Sequence, residues 1–223
     1  MAILHDIDMA RENIKGDSAT SEEGKKANYF IAIRVSDRIR DKVETVQKEV
    51  VSRYDSLKPF LTPPKTLHLS LFVMHLEDEQ IDKAKEILRQ CSNGPFTIKF
   101  KGLGCFSYPK KSDPTIKLRK VLYVKPEEKG NERLYDVQAV VEDTFTKKDI
   151  PSADPREWTP HIAVIKLGGN NPEVEEIPEK SFETCIDWDF GEEQVSSLYL
   201  CPIGERVKGG FYKWVAKIDL CDR

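Results

Sequence analysis

The sequence predicts an α+β fold built of two similar lobes, and three observations favour that class. Segments with strand and helix patterns interleave along the chain, and several strand-to-strand connections are short. The second half also repeats the order of the first: a strand, a helix, and a strand that contains a histidine. Because no linker-like segment interrupts residues 28–223, we expect one compact domain there, preceded by a flexible, polar leader at residues 1–27.

The first half of the chain opens with an apolar, β-branched segment that is typical of a strand. Asp37 suits a helix N-cap, and the helix that follows it to Tyr54 places four valine and isoleucine residues at helical spacing. Two prolines in "FLTPPK" then end the helix. The other elements predicted in this half are strand 28–35, the strand around His68, helix 78–91 and strand 96–106.

The second half echoes this order. It predicts strand 120–126, helix 132–147 and a histidine strand at 158–167. Two further strands, within 195–204 and 210–220, are joined by a glycine-containing turn and close the chain.

Composition excludes several classes of protein. The net charge is -3, so no global basic field indicates nucleic-acid binding. No apolar run approaches the roughly 18 residues that a membrane helix needs, and the start of the chain lacks a signal-peptide core. The cysteines number five, an odd count without a C-x-x-C pair. They indicate reduced thiols and therefore a cytoplasmic or nuclear protein.

Two histidine strands are the most informative motifs in the chain. They read "TLHLSLFVMH" from Thr66 and "TPHIAVIK" from Thr159. Alternation along a strand puts His68, Ser70, Phe72 and Met74 on one face, with Leu67, Leu69, Leu71 and Val73 facing the core. By the same rule His161, Ala163 and Ile165 share a face.

Paired histidines of this kind suit transfer at a phosphodiester. One imidazole accepts a proton from the attacking oxygen while the other protonates the leaving oxygen, and histidine titrates in the range that both tasks require. A hydroxyl two residues after each histidine would donate to the phosphoryl oxygens, which Ser70 provides and Ala163 does not. We expect no metal and no cofactor, because no ligand cluster accompanies either motif and the glycines at 102 and 104 lack the dinucleotide-binding pattern.

Two further sets of residues are candidates for ligand binding. The segment "YPKKSDPTIKLRK" is either a solvated surface loop or a phosphate-binding loop at the mouth of a site. Its cations are Lys110, Lys111, Lys117, Arg119 and Lys120. The aromatic candidates for stacking on a nucleobase are Phe72, Phe106, Tyr123, Phe211 and Tyr212, although most aromatic residues in strands belong to a core.

The ordered set of motifs resembles the two-histidine phosphoesterases, the group that contains LigT-like RNA cyclic phosphodiesterases. "HLSL" and "HIAV" look like their paired H-x-[Ser/Thr]-x signatures. Together with "LHLSLFVMHLEDEQ", "FKGLGCF", "DFGEEQVSSLYLC" and "GFYKW", they are most similar to the central domain of A-kinase anchoring proteins of the 7/18 type. The phosphoesterase-like domain of the activating signal cointegrator subunit is also similar. No kinase-anchoring helix is evident, and protein partners are not indicated.

This resemblance implies a LigT-like bilobal fold with both motifs in a central cleft. It implies catalytic roles for His68 and His161, a phosphate-binding role for Ser70, and a nucleotide or short RNA as ligand. The implied activity is metal-independent cleavage of 2′,3′-cyclic phosphates or 2′-5′-linked oligoadenylate. Ala163 departs from the signature, which leaves three functions open: a phosphodiesterase with weakened catalysis, a non-catalytic domain that binds adenosine monophosphate, or a component of RNA repair or transcription coactivation.

Overall fold

The structure is a computed structural model, and it describes residues 25–91, 94–168, 174–208 and 210–221. Three α-helices and eight strands occupy these residues. The helices are α1 (Asp37–Arg53), α2 (Ile81–Gln90) and α3 (Glu132–Thr146). The strands are β1 (Tyr29–Arg34), β2 (His68–Met74), β3 (Phe96–Lys110), β4 (Asp113–Pro126), β5 (Ile162–Lys166), β6 (Asp189–Val195), β7 (Ser197–Pro202) and β8 (Ala216–Asp219).

All eight strands form one antiparallel sheet whose two halves mirror each other. The order is β6-β3-β4-β5-β2-β1-β7-β8, so the two histidine strands lie side by side at the centre. Each histidine strand pairs on its outer side with the strand that begins its own half, β1 beside β2 and β4 beside β5. The repeated order of strand, helix and histidine strand that the sequence predicts is therefore confirmed, as is the α+β class.

The helices lock the two halves of the sheet together because they cross between them. Helix α1 follows β1, yet it packs against β5 and β6 of the opposite half. Its four apolar residues at helical spacing are fully buried. The Gln47 side chain on the same face donates to the Val164 carbonyl of β5 at 3.0 Å. Helix α3 contacts β2 in return, so one continuous core underlies both halves.

The predicted leader lies mostly outside the described residues, which begin at Lys25. Its last three residues pack against the end of β2. Ala27 is buried, and His75 donates from Nδ1 to the Lys26 carbonyl at 2.7 Å. Within the described part of the chain, none of the helices has the length and apolar character needed to cross a membrane.

The predicted alternation along β2 is correct as far as Leu71 and wrong beyond it. A bulge in the β1–β2 ladder follows Ser70, because Ile31 pairs with Phe72 while Ala32 already pairs with Ser70. The extra residue reverses the facing of the remaining positions. Phe72 therefore packs in the core against Phe145, with ring centroids 5.5 Å apart, and Val73 turns towards the opposite face.

The predicted basic loop is instead the tip of a long hairpin. Strands β3 and β4 continue through the basic segment and turn only at Lys111 and Ser112. The sequence prediction ended the first strand at Phe106, because proline and clustered charge are more typical of a loop. Hydrogen bonding between β3 and β4 extends both strands, and the local sequence does not indicate this pairing.

Candidate active site

A cavity of about 980 Å³ lies over the centre of the sheet, where the two halves meet. Its lining includes both residues of each histidine motif: His68 and Ser70 from β2, and His161 and Ala163 at β5. Both histidines are partly buried. The structure thus brings together residues that lie about ninety positions apart in the sequence.

The seam between β2 and β5 explains how these four residues share one face. The two strands pair antiparallel at a single position, Leu69 opposite Ile162, and both of these side chains are fully buried in the core. The neighbours of such a pair point to the other face of a sheet. Antiparallel register therefore sets His68 opposite Ala163 and Ser70 opposite His161. The hydroxyl position of each motif faces the histidine of the other motif.

Each imidazole is held by the same hydrogen bond. Nδ1 of His68 contacts the carbonyl of Thr66 at 2.7 Å, and Nδ1 of His161 contacts the carbonyl of Thr159 at 2.8 Å. A carbonyl oxygen only accepts, so Nδ1 donates in both cases and carries the proton of the neutral ring. Nε2 is then the atom of each ring that is suited to proton transfer at a substrate.

Aromatic side chains surround both rings. His68 lies 5.0 Å from Phe30 and 5.1 Å from Tyr212 between ring centroids, and Phe211 lies 6.4 Å away. Phe211 and Tyr212 belong to the segment that joins β7 to β8 and are almost fully buried, so they fix the His68 ring from the side. Neither ring is exposed enough for a nucleobase to stack on it as it would on an aromatic side chain at the surface.

The second histidine has an equivalent setting built on β3 and β4. Phe106 lies 4.9 Å from His161 and Tyr123 lies 5.5 Å away, and these two aromatic rings stack on each other at 4.4 Å. Gly104 makes this possible, because a Cβ there would fall 2.6 Å from the Tyr123 ring. The side chain of Tyr123 thus fills the space beside the Gly104 backbone, and no ligand can occupy it.

The predicted basic residues do not line the cavity. Lys110 pairs with the Glu175 carboxylate at 2.7 Å, and Lys120 donates to the Glu175 carbonyl at 2.6 Å. Arg119 pairs with Glu176 at 3.2 Å. Lys111 and Lys117 are exposed on the same hairpin. The hairpin therefore binds the acidic segment after β5, and the surface interpretation of this segment is the one that the structure favours.

Sequence reasoning missed an arginine in the cavity. Arg156 forms a bidentate pair with Asp154, at 2.9 Å from Nε and 2.6 Å from the terminal nitrogen, and it approaches the Tyr108 hydroxyl at 3.3 Å. All three residues line the cavity. Burial acts to raise the pKa of Asp154, but the hydrogen bonds and charge of Arg156, with a smaller contribution from His161, hold that pKa below its ordinary value. The pair thus stays ionised next to the second histidine.

Trp158 is the other residue that the sequence did not single out. Its indole Nε1 donates to the carbonyl of Ser70 at 2.9 Å. This bond ties the irregular segment before His161 to β2, and so it sets the second histidine motif against the first. The pattern Thr-x-His, which occurs at the start of both strands, was the available signal for such a shared local geometry.

Metal-ligand geometry is not evident in the described ranges. No three side chains of histidine, cysteine, aspartate or glutamate come together there in an arrangement that suits an ion.

The central seam, the paired histidine motifs and the antiparallel sheet define a two-histidine phosphoesterase. Solved structures share this fold. The protein TT0787 of Thermus thermophilus matches with a TM-score of 0.59 at 22% identity, covering 87% of this chain and 98% of its own. E. coli LigT matches with a TM-score of 0.60 at 14% identity, covering 88% and 98%.

The chain belongs to the AKAP7 2′5′ RNA ligase-like domain family, whose model matches residues 27–220. Two curated relatives are both named RNA 2′,3′-cyclic phosphodiesterase. The one from Archaeoglobus fulgidus is 28% identical over 187 residues, which is 82% of this chain and 95% of that protein. The one from Aquifex aeolicus is 25% identical over 179 residues, which is 79% and 88%. Family membership thus agrees with the two-histidine fold and with the paired histidine motifs of the cavity.

Proposed function

We propose that this protein hydrolyses 2′,3′-cyclic phosphates at the ends of RNA, with His68 and His161 as the catalytic pair. The observation that carries the proposal is the matched setting of the two rings. Both rings line one cavity from adjacent strands, and both direct the same nitrogen, Nδ1, to the backbone. Two relatives named for this activity support the choice of substrate.

The chemistry follows from that arrangement. One neutral imidazole accepts a proton from water at Nε2 while the water oxygen bonds to phosphorus. The other imidazole, in its protonated form, donates from Nε2 to the ribose oxygen as its bond to phosphorus breaks. The products are an open phosphomonoester and a free ribose hydroxyl, and the two rings have exchanged their protonation states. The hydrogen bond from Nδ1 to a backbone carbonyl keeps each ring in a fixed orientation during the exchange.

Ser70 is placed to stabilise the charge that develops on the phosphoryl group. Its hydroxyl lines the same cavity and lies across the seam from His161. A donor held there strengthens its bond as the phosphoryl oxygens gain negative charge, and one such donor is worth on the order of 10²–10³ in rate. Arg206 lines the same cavity and forms no ion pair with any residue that the structure describes, so its positive charge favours the binding of an anionic substrate, whereas the charge of Arg156 is balanced by Asp154.

A hydrolysis assay on three substrates tests the proposal. The protein is incubated with cyclic-phosphate-ended RNA, with 2′-5′-linked oligoadenylate and with ordinary 3′-5′ RNA, each in the presence of a chelator. We expect opening of the cyclic phosphate, with a loss of several orders of magnitude in His68→Ala and in His161→Ala. His75→Ala is the matched control, because His75 also lies on the β2 segment but does not line the cavity. Unchanged turnover in the two cavity variants would end the proposal.

Cleavage of 2′-5′-linked oligoadenylate is a second candidate activity, and the family description favours it. There the neighbouring ribose hydroxyl takes the place of water as the nucleophile, so the same two histidines serve. Preference between the two substrates is read directly from their ratio of kcat/KM in the assay above.

A non-catalytic role in binding adenosine monophosphate is the alternative from a different class. Ala163 favours it, because one of the two hydroxyl positions in the cavity has no donor side chain. E. coli LigT has been solved in complex with 3′-AMP, which supports nucleotide binding by this fold. Tight binding of adenosine monophosphate without product formation from any of the three RNAs would establish this alternative.

A further inference from the structure

An aromatic and cationic stripe continues from the cavity across the half of the sheet that contains β1, β7 and β8. We define the outer stripe as Arg34, Tyr199, Phe211 and Trp214. Arg34 lies opposite His68 in the β1–β2 ladder, and Tyr199 lies opposite Ala32 in the β1–β7 ladder. Since Ala32 and Arg34 are two residues apart on one strand, they share the face of the sheet that carries His68.

The rings of the outer stripe connect His68 to the protein surface in three steps. The Phe211 ring lies 6.4 Å from His68, Tyr199 lies 5.9 Å from Phe211, and Trp214 lies 5.7 Å from Tyr199. Each contact is edge-to-face. Burial decreases along the path, from Phe211 at 4% exposed to Trp214 at 45% exposed. A large indole is therefore open to solvent within three ring contacts of the catalytic pair.

Two arginines without carboxylate partners accompany these rings. Arg34 lies over the Phe211 ring at 5.2 Å, and Arg206 lies over the Tyr212 ring at 5.4 Å. Neither forms an ion pair with any residue that the structure describes. The carboxylates near the stripe are engaged by other groups. Glu205 pairs with Lys213 at 3.1 Å, Asp219 with Lys217 at 2.9 Å and Asp37 with Arg40, while Glu193 accepts a hydrogen bond from the backbone N–H of Ser36 at 2.7 Å. Arg34 and Arg206 are thus cations that no described carboxylate pairs with, on a protein whose net charge is -3.

We propose that the outer stripe binds the nucleotides of an RNA strand that lead up to the phosphate in the cavity. The proposal rests on the proposed function and extends it, because it gives the nucleotides ahead of the terminal phosphate a binding surface outside the cavity. An exposed aromatic ring beside cations is the combination that binds single-stranded nucleic acid without sequence preference. Within the stripe Trp214 is that exposed ring, and Tyr199 and Phe211 lie behind it. Trp214 stacks on a base, while Arg34 and Arg206 contact the phosphates on either side of Phe211 and Tyr212.

The dependence of KM on substrate length tests this subsite. Cyclic-phosphate-ended RNAs from one to about eight nucleotides are compared, and the readout is the ratio of KM for the mononucleotide to KM for the longest RNA. We expect a ratio well above one in the unmodified protein. Trp214→Ala should lower that ratio by about tenfold, the usual effect of losing one base stack. Trp188→Ala is the matched control, since Trp188 is 38% exposed but lies directly before β6, at the opposite edge of the sheet from the stripe.

The dependence on salt tests the cationic part of the stripe. Binding is measured over a range of salt concentrations with an RNA of the same length as the longest substrate, whose last nucleotide carries a 2′-O-methyl group and a 3′-phosphate in place of the cyclic phosphate, so that no turnover can occur. Arg34→Ala should reduce the slope of log affinity against log salt by about 0.7, the value for one phosphate contact on a single strand. Arg34→Lys should keep the slope, because it keeps the charge.

The outcomes separate this proposal from the proposed function. Turnover of the mononucleotide with a KM that does not change with length, and an equal ratio in the Trp214 and Trp188 variants, would overturn the outer stripe and leave the enzyme standing. Length-dependent binding that needs Trp214, without hydrolysis of any RNA, would support the stripe and remove the proposed function. A salt slope that is unchanged in Arg34→Ala would overturn the contact to phosphate.

Discussion

Restoring a hydroxyl at position 163 is the sharpest test of how the cavity works. Ala163 lines the cavity and is 8% exposed, and the register of the seam sets it opposite His68. Ala163→Thr or Ala163→Ser therefore adds one donor on the side of the site where Ser70 provides none. A donor of this kind is worth on the order of 10²–10³ in rate when nothing replaces it.

We expect a gain of roughly tenfold or more in kcat, which is below the full value for one donor. The reason is that Arg206 and Lys166 line the same cavity and already supply positive charge near the phosphoryl group. The new hydroxyl acts mainly on the transition state, where that charge grows, so kcat should rise more than the affinity for substrate.

The assay compares kcat and KM for a cyclic-phosphate-ended RNA across four proteins. Ala163→Val is the matched control, because valine has nearly the shape of threonine and no hydroxyl. His161→Ala combined with Ala163→Thr should abolish the gain, since a hydroxyl cannot replace proton transfer. Equal turnover in the threonine and valine variants would show that a missing donor at this position does not limit the reaction.

Three further predictions concern the surroundings of the site. Gly104→Ala should destabilise the protein by about 1–3 kcal/mol, because its Cβ would meet the Tyr123 ring, and the cost should shrink in the Tyr123→Ala background when unfolding is measured in urea. The pKa of Asp154 is lowered in the folded state, so its contribution to stability is present above the ordinary carboxyl value of about 3.9 and is lost as pH falls through the folded value. Melting temperature should accordingly fall less on acidification in Asp154→Asn than in the unmodified protein, and an identical fall would contradict the pairing. Burial raises the pKa of Cys201 to about 12 and that of Cys105 to about 11, so iodoacetamide near neutral pH should label the exposed Cys221 first, and rapid labelling of Cys201 by mass spectrometry would refute the core assignment.

Local patterns in the sequence were sufficient to predict helices α1 and α3 and the two histidine motifs. The prediction places a helix at 38–54 with Asp37 as its N-cap, where the structure has Asp37–Arg53 with Ser36 at the N-cap position, and one at 132–147 where the structure has Glu132–Thr146. Both depend on helical spacing of apolar residues, a signal that is contained within each segment. The two histidine strands are predicted in the same way, because each is a short apolar run that contains a histidine. The predicted facing of Ile165 is wrong, since a bulge in the β4–β5 ladder turns Ile165 into the core and places Lys166 at the cavity.

Features that depend on contacts between distant parts of the chain were not predicted, and the reason is physical. The bulge after Ser70 depends on how β1 pairs with β2, and the pairing partner is not visible in the β2 sequence. Arg156 reaches the cavity from an irregular segment, where periodicity gives no information about facing. The requirement for glycine at position 104 comes from the Tyr123 side chain on the next strand. In each case the deciding contact joins residues that are distant in the chain.

The single ladder pair at the seam accounts for both the cavity and the orientation of its histidines. Strands β2 and β5 begin at His68 and Ile162, so the carbonyls of Thr66 and Thr159 lie ahead of the regular ladder. Those carbonyls are not engaged in pairing between β2 and β5, so they can accept hydrogen bonds from Nδ1 of the two imidazole rings. A longer β2–β5 ladder would extend over these residues and commit their carbonyls to strand pairing. The ladder between the two halves of the sheet must be short if each Thr-x-His segment is to direct its imidazole ring into the shared cavity. Helices α1 and α3, which each contact a strand of the other half, stabilise so short a seam.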